Sequence, residues 1–104
     1  MHQIYVYVPE SHKEAVKDAL FEIGIGEFGG YSHCCWETQG TGQFKPLDGS
    51  HPVVGAVGSI HHEPEYKLEF LCDCETKLKK ILTALKSSHP YETPAYGVIK
   101  LESY

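Results

Sequence analysis

The residues best equipped for chemistry sit in one short stretch, His89-Pro90-Tyr91-Glu92-Thr93-Pro94-Ala95-Tyr96. Imidazole, phenol and carboxylate stand close together there, between prolines that fix their own φ and push the preceding residue out of the helical region. A helix must stop at this point and the chain must turn extended. So presented, His89, Tyr91 and Glu92 can gather around a small polar ligand or ion, the histidine titrating near neutral pH. The plainer reading is structural: His89 favours the negative end of a helix, Tyr91 packs, and His89 and Glu92 bond backbone to lock a corner.

Two other groups carry chemical potential. Gly40-Thr41-Gly42 can expose backbone N–H groups to an anion, as glycine-rich loops do; no helix start and no lysine-serine pair follows to make it a phosphate loop. A strand end or bulge needing glycine's freedom explains the same residues. The second group is a candidate metal site. If the second and third strands pair antiparallel, the start of one lies beside the end of the other. That brings His33 and Cys34 or Cys35 near Cys72, with Cys74 adjacent. Thiolate and imidazole suit zinc or copper(I). Alternation sends Cys34 and Cys35 to opposite faces, so only one joins, and the set is His33, Cys35 and Cys72. Buried cysteine also serves simply as a small hydrophobe. His61-His62 precede the third strand and read as surface histidines at the opposite end. No nucleophile, base and orienting group stand together, so no catalytic residue is assigned and an enzyme ranks below a binding protein.

These residues must be positioned by strands and helices that the pattern makes legible. Ile4, Val6 and Val8 alternate with Gln3, Tyr5 and Tyr7, the mark of a strand with one buried face. Ser11 followed by Glu14 predicts a capping-box helix start. Ala15, Val16, Ala19, Leu20 and Ile23 form that helix's buried stripe, with Lys13, Lys17, Asp18 and Glu22 toward water. Tyr31 to Thr38 reads as a second strand, followed by a long irregular run through Pro46, Gly49, Pro52, Gly55 and Gly58, a length usually functional, mobile or an oligomer arm. Tyr66 to Cys72 is a third strand. Leu78, Ile81, Leu82 and Leu85 make the stripe of a second helix, and Tyr96 to Leu101 a fourth strand. The order β-α-β-β-α-β predicts an α+β, ferredoxin-like sandwich, with two helices on one face of an antiparallel sheet.

At 104 residues the chain is read as a single domain, 1–104. Nine basic residues against fourteen acidic ones leave a net charge of -5, which disfavours nucleic acid and anionic membrane surfaces as partners. The four cysteines show no Cys-x-x-Cys spacing, and no export signal or membrane-length apolar run is seen, so a cytoplasmic location without a disulfide framework is expected. Nothing in the same chain is expected to cover the second face of the sheet. Tyr5, Tyr7, Leu71, Ile99 and Leu101 can lie there, an apolar surface that predicts a homo-oligomer.

Two stretches carry a family resemblance. Tyr31-Ser32-His33-Cys34-Cys35-Trp36-Glu37-Thr38-Gln39-Gly40-Thr41-Gly42-Gln43-Phe44-Lys45-Pro46-Leu47-Asp48-Gly49, with Pro52, Gly55, Val57 and Gly58 after it, resembles the domain inserted in Nif-three-like proteins of the YqfO group. The His-Pro-Tyr-Glu turn with Pro94 resembles that domain too, and the corresponding turn of CutA divalent-ion-tolerance proteins. The resemblance implies a PII/CutA-like version of the ferredoxin-like fold, assembling through its sheets as a trimer or, alternatively, a dimer. It implies a free-standing accessory domain, with a Nif-three-like protein as a candidate partner. The family's metal-binding core lies in flanking regions not represented here, so a GTP cyclohydrolase label finds no residues to rest on. The reading reached is a non-enzymatic, oligomeric small-ligand-binding or regulatory module; its alternative is a protein handling divalent or soft metal ions such as zinc or copper.

Overall fold

Alternation in the first strand has its expected consequence: Ile4, Val6 and Val8 are fully buried, on the same side as Leu68 and Phe70 of the strand beside them. A computed structural model describes residues 1–73 and 75–104; Cys74, attached above to the metal site, lies outside the described residues. The elements are β1 (His2–Pro9), α1 (Glu10–Glu22), β2 (Trp36–Phe44), β3 (His61–Cys72), a 3-10 turn (Glu75–Lys77), α2 (Leu78–Ser88) and β4 (Tyr96–Lys100). The four strands pair antiparallel in the order β2-β3-β1-β4. Val16 and Leu20 of α1 and Ile81 and Leu85 of α2 close over one face, forming one core with β1 and β3. This is the ferredoxin-like sandwich. Among the described residues no helix is long and apolar enough to cross a membrane.

Several local expectations are corrected. Helix α1 begins at Glu10, with Pro9 as its N-cap and no side-chain cap. Ser11 is inside the helix, its hydroxyl against His12 Nδ1 at 2.9 Å, because β1 runs directly into the helix and leaves no room for a capping box. Ala15 is exposed. Lys13 and Lys17 do not simply face water: both reach the Glu37 carboxylate of β2, at 3.1 and 2.6 Å. The two ammonium groups hold Glu37 below the usual carboxylate range.

The largest correction concerns residues 31–35, which are not a strand. Gly29 and Gly30 both have positive φ, and Phe28 and Tyr31 exchange N–H···O bonds of 2.8 and 2.9 Å across them. Two consecutive positive-φ residues make the tight reversal that glycine allows at no steric cost. His33 then also sits at φ 60, so extended structure starts only at Trp36. From there β2 continues through Gly40 and Gly42 to Phe44, and β3 starts at His61, earlier than its apolar run suggests. Pro64 is tolerated because β1 reaches only as far as Glu65, so at Pro64 β3 pairs with β2 alone. The irregular connection shrinks to 45–60.

Candidate functional site

The side of the sheet away from the helices carries Tyr5 and Tyr7 of β1, Trp36, Gly40, Gly42 and Phe44 of β2, Glu65, Lys67 and Leu71 of β3, and Gly97 and Ile99 of β4, as register and pleat require. It was expected to receive no cover from its own chain. Part of it does. The connection 45–60 closes on itself through Gly58 N–H to the Pro46 carbonyl (2.8 Å), and His51 N–H donates to Glu92 Oε2 at 3.0 Å, tying the connection to the turn before β4. Only the β2–β3 end is roofed, because the tether reaches no further than that turn. Trp36, Leu71 and Ile99 remain exposed beyond it, whereas Tyr5 is half-buried, its ring filling the space where Gly97 has no side chain. Leu101 is half-buried and beyond β4.

Between roof and sheet lies an open cleft of about 760 Å³, within the size range of small-molecule sites. Its floor includes Tyr7, Gly40, Gly42, Phe44, Glu65 and Lys67; its roof includes Pro46, Leu47, Pro52, Val53 and Val54; Tyr91 and Glu92 stand at one end. Of the residues singled out from sequence, Gly40, Gly42, Tyr91 and Glu92 line this one cleft. His89 does not.

His89 is buried behind the cleft. Its Nε2–H donates to the Tyr7 carbonyl at 2.6 Å, and its Nδ1 accepts from Tyr91 N–H at 3.1 Å. A carbonyl can only accept, so the proton is on Nε2 and the ring is neutral. Burial pushes its pKa below the ordinary 6.5; it is not a charged helix cap, and both of its nitrogens are taken by backbone. The imidazole instead pins the start of the turn to β1, with its ring 5.1 Å from that of Tyr91.

That pin aims Tyr91 into the sheet. Its ring meets Phe44 edge-on, with centroids 5.8 Å apart, and its hydroxyl donates to Glu65 Oε2 at 3.0 Å. Burial first, and then this bond, push the phenol's pKa well above the ordinary 10. Glu65 is only 8% exposed, and it is the residue that reading by pattern missed. A glutamate in a strand normally signals a solvated face. The one available sign was Gly42 across the hairpin: Gly40 and Gly42 are ordinary extended strand residues, without the positive φ of an anion-binding loop, and Gly42 lacks a side chain because the Glu65 carboxylate occupies that volume.

The expected metal set is not assembled. Antiparallel pairing of β2 and β3 holds, with Trp36 opposite Glu69, but the chain joins the sheet only at Trp36, so nothing from β2 reaches the level of Cys72. His33 packs on Phe21, with ring centroids 4.8 Å apart. Cys35 packs against the core, where burial raises its thiol pKa, and the Cys34 thiol faces the Ser32 carbonyl at 3.8 Å. Cys72 lies opposite His2 and is disulfide-bonded, not a thiolate. Among the described residues no three His, Cys, Asp or Glu side chains are grouped to hold a metal ion. His61, expected on an open surface, is part of β3: half-buried, 2.7 Å from Glu63 Oε2, with its ring tilted against that of Phe44.

No protein-family model matches the chain. It is 44% identical over 96 residues, 92% of its length, to a GTP cyclohydrolase 1 type 2 homolog of Mycobacterium leprae. It is 39% identical over 102 residues to the protein of that description in Bacillus subtilis. The chain spans about a quarter of the length of these relatives, 25% and 27%. Among solved structures, a Bacillus cereus protein related to NIF3 superposes over 98% of this chain and 26% of its own, with TM-score 0.82 and 33% identity. The periplasmic divalent cation tolerance protein CutA of Archaeoglobus fulgidus superposes over 100% of this chain and 87% of its own, with TM-score 0.70 and 21% identity. The fold is thus the CutA-like form of the ferredoxin-like sandwich, and the sequence is similar to one segment of NIF3-related proteins.

Proposed function

We propose that this chain is a counterpart of the CutA-like segment of NIF3-related proteins, a single domain that binds a small ligand without transforming it and works as a homo-oligomer. The observation that carries the reading is the division of the sheet's outer face. One end forms a roofed cleft; the rest presents Trp36, Leu71 and Ile99 at 67%, 37% and 46% exposure, a surface suited to self-association. Binding is favoured over turnover because the polar groups around the cleft are already engaged in holding it. His89 is bonded to backbone on both nitrogens, Glu92 to the His51 N–H, and Tyr91 to Glu65. Zinc, copper and other metal ions are carried as the alternative ligand class, and a NIF3-related protein as a candidate partner.

The test of assembly is mass in solution. Light scattering across a tenfold concentration range is expected to show a trimer or dimer. Replacing Leu71 and Ile99 together by aspartate is expected to yield a folded monomer, since a charge at each centre opposes burial. A wild-type monomer at every concentration overturns the assembly. Ligand binding is tested on the same protein by thermal shift with nucleotides, divalent ions and organic amines; no response to any of them overturns the binding role.

A further inference from the structure

Glu65 stands apart from the other carboxylates of β3. Glu63 meets His61 at 2.7 Å, Glu69 meets Lys67 at 3.6 Å, and Glu37 on β2 meets two lysines. Glu65 is the most buried of these and has no ion-pair partner among the described residues; its one bond is the Tyr91 hydroxyl on Oε2. An ionised carboxylate offers about four acceptor positions, and one neutral donor leaves most of them unmatched. Such burial costs free energy that a cation recovers. The room is built in: Gly42 has no side chain where the carboxylate lies. Around it the cleft offers rings and aliphatic groups, with Tyr7, Phe44, Pro46 and Val54 among its walls.

Two lysines line the cleft and neither reverses this balance: Lys45 is exposed at the start of the connection 45–60. The Lys67 ammonium is directed to Glu69 and lies 5.3 Å from the centre of the Tyr5 ring. Gly40 and Gly42, being ordinary extended strand, present no nest of N–H groups for an anion. The charge that a ligand meets at the bottom of the cleft is therefore negative, among aromatic faces that also attract cations.

We propose that the cleft selects a small molecule with a flat apolar body and a protonated amine, the body lying between Phe44 and the roof and the ammonium donating to Glu65. This deepens the ligand-binding reading above and rests on it. The recognition is a charge-assisted hydrogen bond in a partly dry site, the kind that discriminates most strongly against a neutral isostere.

Isothermal titration of the intact protein with tryptamine, 3-ethylindole, indole-3-acetate, ATP and manganese(II) tests it. Tryptamine is expected to bind at least about tenfold more tightly than 3-ethylindole, and indole-3-acetate more weakly than either. Glu65→Gln, which keeps an acceptor for Tyr91, is expected to reduce tryptamine to the level of 3-ethylindole and leave the latter unchanged. Glu22→Gln, with the same change of net charge on the exposed side of α1 and outside the cleft, is expected to alter neither. The comparison of probes on the wild-type protein stands even if the Glu65 variant folds poorly. Equal affinity for the amine and its neutral isostere, or preference for indole-3-acetate, ATP or manganese, overturns the amine class while leaving ligand binding intact. Silence from all five probes overturns both.

Discussion

Replacing His89 by alanine is expected to lower stability by about 3 kcal/mol, since it removes a buried ring and strips two backbone groups of their partners. The Tyr7 carbonyl loses a 2.6 Å bond and the Tyr91 N–H loses its acceptor. For a chain of this size that corresponds to a fall in melting temperature of about 15 °C. His89→Gln keeps an N–H donor near the Tyr7 carbonyl and is expected to recover part of the loss. Because Tyr91 reaches Glu65 from the turn that His89 pins, the alanine variant should also lose the protection of the Glu65–Tyr91 end of the cleft against hydrogen exchange. A melting temperature within a few degrees of wild type would show that the prolines hold the turn by themselves.

The same residue sets a pH dependence. Burial lowers the His89 pKa in the folded protein, and the nearby His12 acts in the same direction, while in the unfolded chain it stays near 6.5. The unfolded state then binds more protons between these two values, so stability falls as pH drops through that window. The neutral ring's full contribution is present above about pH 6.5. Denaturant midpoints from pH 8 to pH 5 are expected to decline below that point, and less steeply in His89→Gln; identical slopes would place the titration on other histidines.

Gly26→Ala is expected to cost about 3 kcal/mol, combining left-handed backbone with overpacking. Gly26 is buried at φ +82, and a methyl group there would stand 2.8 Å from the Cys34 carbonyl oxygen and 2.9 Å from the Phe21 ring. Neither neighbour can withdraw easily. The Gly26 carbonyl accepts from Cys34 N–H at 2.9 Å, and its N–H reaches the Leu71 carbonyl at 3.4 Å, so the residue joins the approach to β2 to the end of β3. Gly29→Ala separates the two components: its φ is also positive but no atom lies within 4 Å of the added methyl, so only the conformational part, about 1 kcal/mol, should appear in urea melts. Equal midpoints for the two variants would show that packing around Gly26 yields.

Element order, both helix stripes and the halt at His89 were legible in the residues, because each depends on neighbours within one turn or one pleat. Val16 with Leu20, and Ile81 with Leu85, are buried as their spacing demanded, and His89 leaves the helix in extended backbone ahead of Pro90. Gly40, Gly42, Tyr91 and Glu92 stand out in the sequence and line one cleft, where the plainer structural readings describe what they do. For the glycine pair the residues offered an anion loop or a strand feature needing glycine; it is plain strand, making space for a side chain from the next strand. For His89 the residues offered a ligand group or a backbone bond locking a corner, and its two backbone partners, one of them 82 residues away, are those of the second.

What the amino-acid order determined by itself was the alternation of strands and helices and which stripe of each is buried, since those follow from local backbone preference and a period of two or near four. Tertiary structure alone decided the rest. The reversal at Gly29-Gly30 shifted β2 and so separated His33 and Cys35 from Cys72. The return of the connection 45–60 to Glu92 made a cleft out of a bare sheet, and the hairpin register set Glu65 beneath Tyr91. Each of these depends on contacts between distant residues, where loop closure and packing choose among partners that the local sequence leaves equivalent.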